Sequence, residues 1–229
     1  MTTSSSIEHE PQRRQPFAVR DAMSTTRMVT SVAVSLVVLV ASSAIAWNGE
    51  VPDWEADLLR WMNDWPDWLE PIMWTLQQVG VLAGPLIGGL VIARVARRWE
   101  YLIPFLLLMP LKLFIEKAVL KQLVERQRPF VSIGPDITVR GPAFEGLSFP
   151  SGHATTAVAF GILVAAFLPP RWRPLPVLWA AAVCVARIYF GEHNVLDVVA
   201  GAALGTLFAT VLWFTILNRW VEPDEEPGQ

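Results

Sequence analysis

The stretch Ala186-Arg187-Ile188-Tyr189-Phe190-Gly191-Glu192-His193-Asn194-Val195-Leu196-Asp197-Val198-Val199-Ala200-Gly201 decides the reading of this chain. Its polar centre separates two apolar runs, 175–190 and 195–217, each long enough to read as a membrane helix or most of one. His193 and Asp197 are four apart, so a helix that starts near His193 puts both on one face. The carboxylate then holds the imidazole at Nδ1 and leaves Nε2 facing outward as a nucleophile. Arg187 closes the preceding run and brings a planar, bidentate donor for an anion to the same turn.

Working back along the chain, Pro150-Ser151-Gly152-His153 opens another apolar run, 153–168. A serine N-cap and a glycine at the start of a helix leave free N–H groups and a positive dipole end, which suit an anion. His153 there can protonate a leaving oxygen. Arg128-Pro129 adds a second guanidinium, and Lys121, two helical turns earlier, adds a point charge. A nucleophile, an acid and fixed positive charge are what transfer of a phosphoryl group through a histidine requires. Taken singly, an Arg-Pro or a Ser-Gly-His marks a turn or a cap; it is their joint order and spacing that carries the chemistry.

Lys121 with six residues to Arg128-Pro129, Pro150-Ser151-Gly152-His153, and Arg187 with five residues to His193 and three more to Asp197 resemble the type 2 phosphatidic acid phosphatase (PAP2) superfamily of lipid phosphatases. Gly191 and Gly201 fit the same context. The resemblance implies a phosphohistidine on His193, His153 as acid and Asp197 as orienter. It places Lys121, Arg128, Ser151, Gly152 and Arg187 around the phosphate and implies no metal and no cofactor. One position departs: Ala186 stands where the family often has serine, which removes one possible phosphate contact and none of the acid–base groups.

Apolar residues make up 53% of the chain and the charges are clustered, which places it in the membrane class. Six apolar segments, 28–47, 72–93, 101–120, 153–168, 175–190 and 195–217, approach the ~20 residues that cross hydrocarbon. The expected fold is all-α, a six-transmembrane-helix bundle of the PAP2 type spanning residues 27–220. A disordered cytoplasmic tail (1–26) should precede it and an acidic cytoplasmic tail (221–229) follow it. Arg13, Arg14, Arg20 and Arg27 before the first segment, Arg94, Arg97 and Arg98 after the second, and Arg171 and Arg173 after the fourth put these loops and both termini in the cytoplasm. The motif loops then face outward across the plasma membrane. Lys121, Arg126, Arg128 and Arg140 break the charge rule on that side, as expected if several of them bind phosphate.

Between residues 51 and 71, Trp54, Leu58, Trp61, Trp65 and Trp68 recur at three- and four-residue steps, predicting an amphipathic helix on the outer face with tryptophans at headgroup depth. Lys112 and Glu116 are four apart and can pair inside the third segment, Lys117 is no expected ligand, and Glu145 and Glu192 read as solvated loop carboxylates. Gly84, Gly88, Gly89, Gly201 and Gly205 read as close-packing positions. His9 reads as a solvated tail residue, and the single Cys184 excludes an internal disulfide.

A net charge of −3 without a basic patch gives no sign of nucleic acid, and neither zinc spacing nor a glycine-rich nucleotide loop occurs. The expected partners are a membrane lipid phosphate and the bilayer itself, with no protein partner inferred. Polyprenyl diphosphate, phosphatidic acid and phosphatidylglycerol phosphate all present the same phosphoryl group, and no residue separates them. The alternative is a phosphotransferase that passes the phosphoryl group to an acceptor hydroxyl. The soluble vanadium haloperoxidases share similar motifs, but the apolar segments argue against that class.

Overall fold

A computed structural model describes residues 17–19, 21–78, 83–141 and 146–221. His9, Arg13, Arg14, Arg20, Glu145 and the acidic residues after Val221 lie outside the described residues. Among the described residues the chain is all-helical, and the only strand-like pairing is an isolated bridge between Val19 and Val221.

The chain begins with α1 (Thr25–Ile45), started by Ser24, whose hydroxyl accepts the Arg27 amide at 3.3 Å. There follow α2 (Asp53–Asn63), α3 (Glu70–Gln78), α4 (Ala83–Ala96) and α5 (Ile103–Leu113), which runs on through a π-helical stretch (Phe114–Leu120) into the short α6 (Lys121–Val124). After α7 (Pro129–Ser132) come α8 (Gly152–Ala165), α9 (Pro174–Tyr189) and α10 (Val195–Thr215).

α10 is the central helix: it packs along α1 on one side and α8 on another, and α8 in turn packs along α9. Leu204 and Phe208 of α10 join Leu163 of α8 with Tyr101, Phe105 and Phe167 in the main core. The close seating of α8 on α10 depends on Gly201 and Gly205, where a Cβ would fall 2.5 Å from the backbone oxygens of Ser151 and Thr155. α1 is held to α10 by apolar contacts and by Ser31 and Thr210, whose hydroxyls are 2.8 Å apart.

The membrane count differs from expectation. Among the described residues two helical segments are long and apolar enough to cross a bilayer, α1 and the stretch 195–220, or three if α3 with its preceding turn and α4, bent by 57°, count as one. The third expected segment is interrupted by Pro110 and the π-helical stretch, and α8 and α9 have 14 and 16 residues, short of the ~20 that span hydrocarbon. Large apolar side chains nevertheless face outward, with Val37 on α1, Ile87 on α4 and Leu178 on α9 each more than half exposed. An apolar exterior of this extent is what lipid covers.

The tryptophan-rich region is also two elements, because Pro66 ends the helical run and α3 begins afresh. On α2 the exposed face carries Trp54, Leu58 and Trp61, while Glu55, Ala56, Leu59, Met62 and Asn63 form the buried stripe. Trp65 turns inward against the cluster of Ala186, Tyr189 and Phe190.

The two ends of the described chain meet. Met23 and Asn218 exchange hydrogen bonds of 2.8 Å in both directions, beside the Val19–Val221 bridge. The N-terminus of α10 lies at the opposite end, about 32 Å away along a 21-residue helix.

Candidate active site

Two helix N-termini meet at that far end. Ser151 caps α8, its hydroxyl 3.5 Å from the Ala154 amide, and its own amide donates to the Asp197 carbonyl at 2.8 Å. Asn194 and Asp197 form a capping box on α10, with the Asn194 amide 2.8 Å from Asp197 Oδ2. The positive ends of α8 and α10 therefore point to one place, where Gly152, half-buried His153 and buried His193 lie.

The cations come from three other elements. Arg187, at the end of α9, is buried and donates to Gln77 Oε1 at 2.6 Å and to the Glu192 carboxylate. Arg128 precedes α7 and donates to the Glu192 carbonyl at 2.8 Å. Lys121 begins α6, donates to the Leu147 carbonyl at 2.6 Å and stands 3.7 Å from Glu116. His153 feels the charges of Arg187, Lys112 and Arg128. All eight residues expected from the sequence are thus gathered at one end of the bundle.

Burial, reinforced by Arg187, Arg128 and Lys121, holds the His193 imidazole well below its ordinary pKa. The ring is therefore neutral at pH 7 and keeps the lone pair a nucleophile needs. Burial also lowers the Lys121 ammonium, against the pull of Glu116. Among the described residues no three His, Cys, Asp or Glu side chains are gathered as a metal site. The positive charge here comes from lysine, arginine and helix termini.

Two readings from the sequence need correction. Glu192 is not solvated: it is buried and ion-paired with Arg187, because the turn after α9 folds back onto the last turn of that helix. Asp197 does not hydrogen-bond His193 at Nδ1; its Oδ2 is 3.6 Å away, because the capping geometry aims that oxygen at the Asn194 amide. Of the four cations that break the charge rule, Arg140 and Arg126 are held by protein groups. Arg140 donates to the Asn63 and Tyr189 carbonyls and to Asp67, with its guanidinium 4.4 Å over the Tyr189 ring, and so ties the loop before α8 to α2 and α9. Arg126 is fully buried on Glu55 and Asp197.

The Lys112–Glu116 pair does form, at 2.8 Å, and Lys117 is exposed. Glu116 does more than pair: a Cβ on Gly152 would meet its carboxylate oxygens at 2.7 and 2.8 Å, so it stands beside the first turn of α8. It projects from the π-helical stretch, a feature that often marks functional positions. Glu55, Gln77, Glu116 and Arg126 were missed as site residues. Glu116 carried a signal as an ionisable residue inside an apolar segment, Arg126 as a cation against the charge rule, and Glu55 as a carboxylate on the helical stripe that also holds Leu59, Met62 and Asn63.

Residues 101–220 match the model of the PAP2 superfamily, and the chain belongs to that superfamily. It is 32% identical over 137 residues to a decaprenylphosphoryl-5-phosphoribose phosphatase of Mycobacterium tuberculosis, covering 58% of this chain and 70% of that protein. It is also 32% identical over 105 residues to an undecaprenyl-diphosphatase of Sulfolobus acidocaldarius, covering 45% of this chain and 47% of that one. The crystal structure of a transmembrane PAP2-type phosphatidylglycerolphosphate phosphatase from Bacillus subtilis shares the fold, with a TM-score of 0.59 at 22% identity over 81% of this chain and 93% of that one.

Proposed function

We propose that this chain is an integral-membrane lipid phosphatase that works through a phosphohistidine without a metal ion. The observation that carries the reading is the buried His193 facing three cations and two helix N-termini. Nε2 of His193 attacks phosphorus, and the bond to the leaving oxygen breaks with its electron pair on that oxygen, which takes a proton from His153. Water, deprotonated by His153, then attacks the phosphohistidine; the P–N bond breaks and inorganic phosphate leaves. Arg128, Arg187, Lys121, the Ser151 hydroxyl and the Gly152 amide stabilise the charge on the equatorial oxygens in both steps. Asp197 orients the nucleophile.

In this reading the apolar segments form a six-span bundle, in which α8 and α9 are short because protein surrounds their ends. The paired termini lie in the cytoplasm, the site opens at the outer face of the plasma membrane, and the tryptophans of α2 sit at headgroup depth. The lipid tail stays in the membrane while its phosphate enters the cup. Relatives named for a decaprenylphosphoryl-5-phosphoribose and an undecaprenyl diphosphate favour a phosphate carried on a polyprenyl lipid over phosphatidic acid or phosphatidylglycerol phosphate.

The test is phosphate release by purified protein in detergent with a chelator, offering the three lipid classes in parallel, with His193→Ala as control. Release that depends on His193 and persists with chelator supports the reading. Phosphate appearing on an acceptor hydroxyl in place of free phosphate would make the protein a phosphotransferase, and chelator-sensitive release would overturn the metal-free mechanism.

A further inference from the structure

Glu55 and Arg126 are fully buried and bonded twice: Arg126 Nη1 and Nη2 donate to the two Glu55 oxygens at 3.0 and 2.5 Å. The same guanidinium donates to Asp197 Oδ1 at 3.2 Å and to the Glu50 carbonyl at 3.0 Å. Glu55 Oε1 also accepts the Leu196 amide at 2.7 Å. One carboxylate on α2 therefore holds both the arginine that faces Asp197 and the first turn of the helix that carries Asp197.

Stability is a weak account of this arrangement. Three charges removed from water often gain nothing over an apolar packing of the same volume. Geometry is a better one. Asp197 has two oxygens, one held by Arg126 and the other, at the Asn194 amide, standing 3.6 Å from His193 Nδ1. The grip on Oδ1 sets the rotation of the carboxylate and hence where Oδ2 lies behind the imidazole.

Resting on the roles given above to His193 and Asp197, we propose that Glu55 is a positioning residue for phosphoryl transfer, acting through Arg126 to fix the orientation of Asp197 behind the nucleophile. Glu55 itself touches none of Lys121, Arg128, Ser151, Gly152 or Arg187 through a hydrogen bond or ion pair among the described residues. Its loss should therefore reach turnover without reaching anion binding.

The experiment is steady-state kinetics on the full chain in detergent, comparing wild type, Glu55→Gln, Asp197→Asn, the double variant, and Asp57→Asn as an exposed control on the same helix. Glu55→Gln is expected to lower kcat about 10- to 100-fold, the range seen when the partner behind a functional ligand is removed. KM and competitive inhibition by inorganic phosphate should stay within about threefold, and Asp57→Asn should match wild type. The double variant should be no slower than Asp197→Asn alone, because both changes break one chain of contacts. A folded Glu55→Gln protein with wild-type kcat, or losses that multiply in the double variant, overturns the proposal. Arg126→Lys, which keeps the charge and loses the fork, is read in the same way if Glu55→Gln cannot be purified; failure of both to fold assigns the cluster to structure and also overturns it. A wild type inactivated by His193→Ala beside an unaffected Glu55→Gln sinks the positioning role alone, whereas a wild type with no phosphate release takes the functional reading down with it.

Discussion

The Asp197 carboxylate stands behind His193 with Oδ2 3.6 Å from Nδ1, too far for a hydrogen bond, while it accepts the Asn194 amide at 2.8 Å and Arg126 at 3.2 Å. Catalytic hydrogen bonds often tighten only when substrate is bound, and a small shift of the imidazole closes this one. The residue thus serves as helix cap and as the carboxylate nearest the nucleophile.

Asp197→Asn should accordingly show two separable losses. The amide cannot anchor the imidazolium-like charge that develops at His193, so kcat should fall by about 10²- to 10⁴-fold while lipid still binds. Weakening the capping box should cost about 1 kcal/mol of stability. Kinetics and detergent-phase melting on the same preparation check both.

Glu192 places an internal carboxylate on Arg187, where a phosphate oxygen is expected to bind. Glu192→Gln should weaken that competitor, and inorganic phosphate should inhibit the variant about tenfold more tightly than wild type, the effect of about 1.4 kcal/mol. Melting temperature should drop in the same protein, because a buried ion pair has lost one charge. Unchanged phosphate inhibition would show that Glu192 does not compete for Arg187.

Acid should destabilise the protein through His193. Its folded pKa lies below the unfolded value near 6.5, so the folded state resists a proton that the unfolded state takes up. The contribution to stability is complete above pH 6.5 and is lost as pH falls from there toward the folded pKa, at up to about 1.4 kcal/mol per pH unit. Melting curves from pH 7.5 to 5 should show a shallower decline for His193→Gln than for wild type.

Gly201→Ala should injure the site from within the helix interface. The added methyl meets the Ser151 carbonyl oxygen at 2.5 Å, a backbone atom that cannot turn aside, so α8 must move away from α10. Overpacking of this kind costs about 1–3 kcal/mol. Because Ser151 and His153 move with α8, kcat should fall as well, while Gly88→Ala, facing the Phe160 ring, should cost stability and spare kcat.

Local spacing made much of the site legible. The four-residue step from His193 to Asp197, the Ser151 cap before His153 and the Arg128-Pro129 pair each depend on neighbours within one turn, and the structure brings them together. Apolar runs likewise revealed the helices. Their true lengths were less readable, because the π-helical stretch ends the α-helical winding within a continuous apolar segment, and Pro66 divides one amphipathic pattern into two elements.

Charged residues were the least legible, since burial of a charge depends on which helices meet it. Glu192 reads as a loop carboxylate until the turn folds it onto Arg187, and Arg126 reads as one of four cations against the charge rule until α2 arrives with Glu55. The sequence by itself determined the all-helical class, which follows from composition and short-range periodicity, while the family and the groups gathered for the chemistry came from the resemblance of its motifs. Only the tertiary structure decided that Asp197 is held from behind by Arg126 and Glu55, residues 71 positions apart, because a buried ion pair takes its partners from the packing of distant helices.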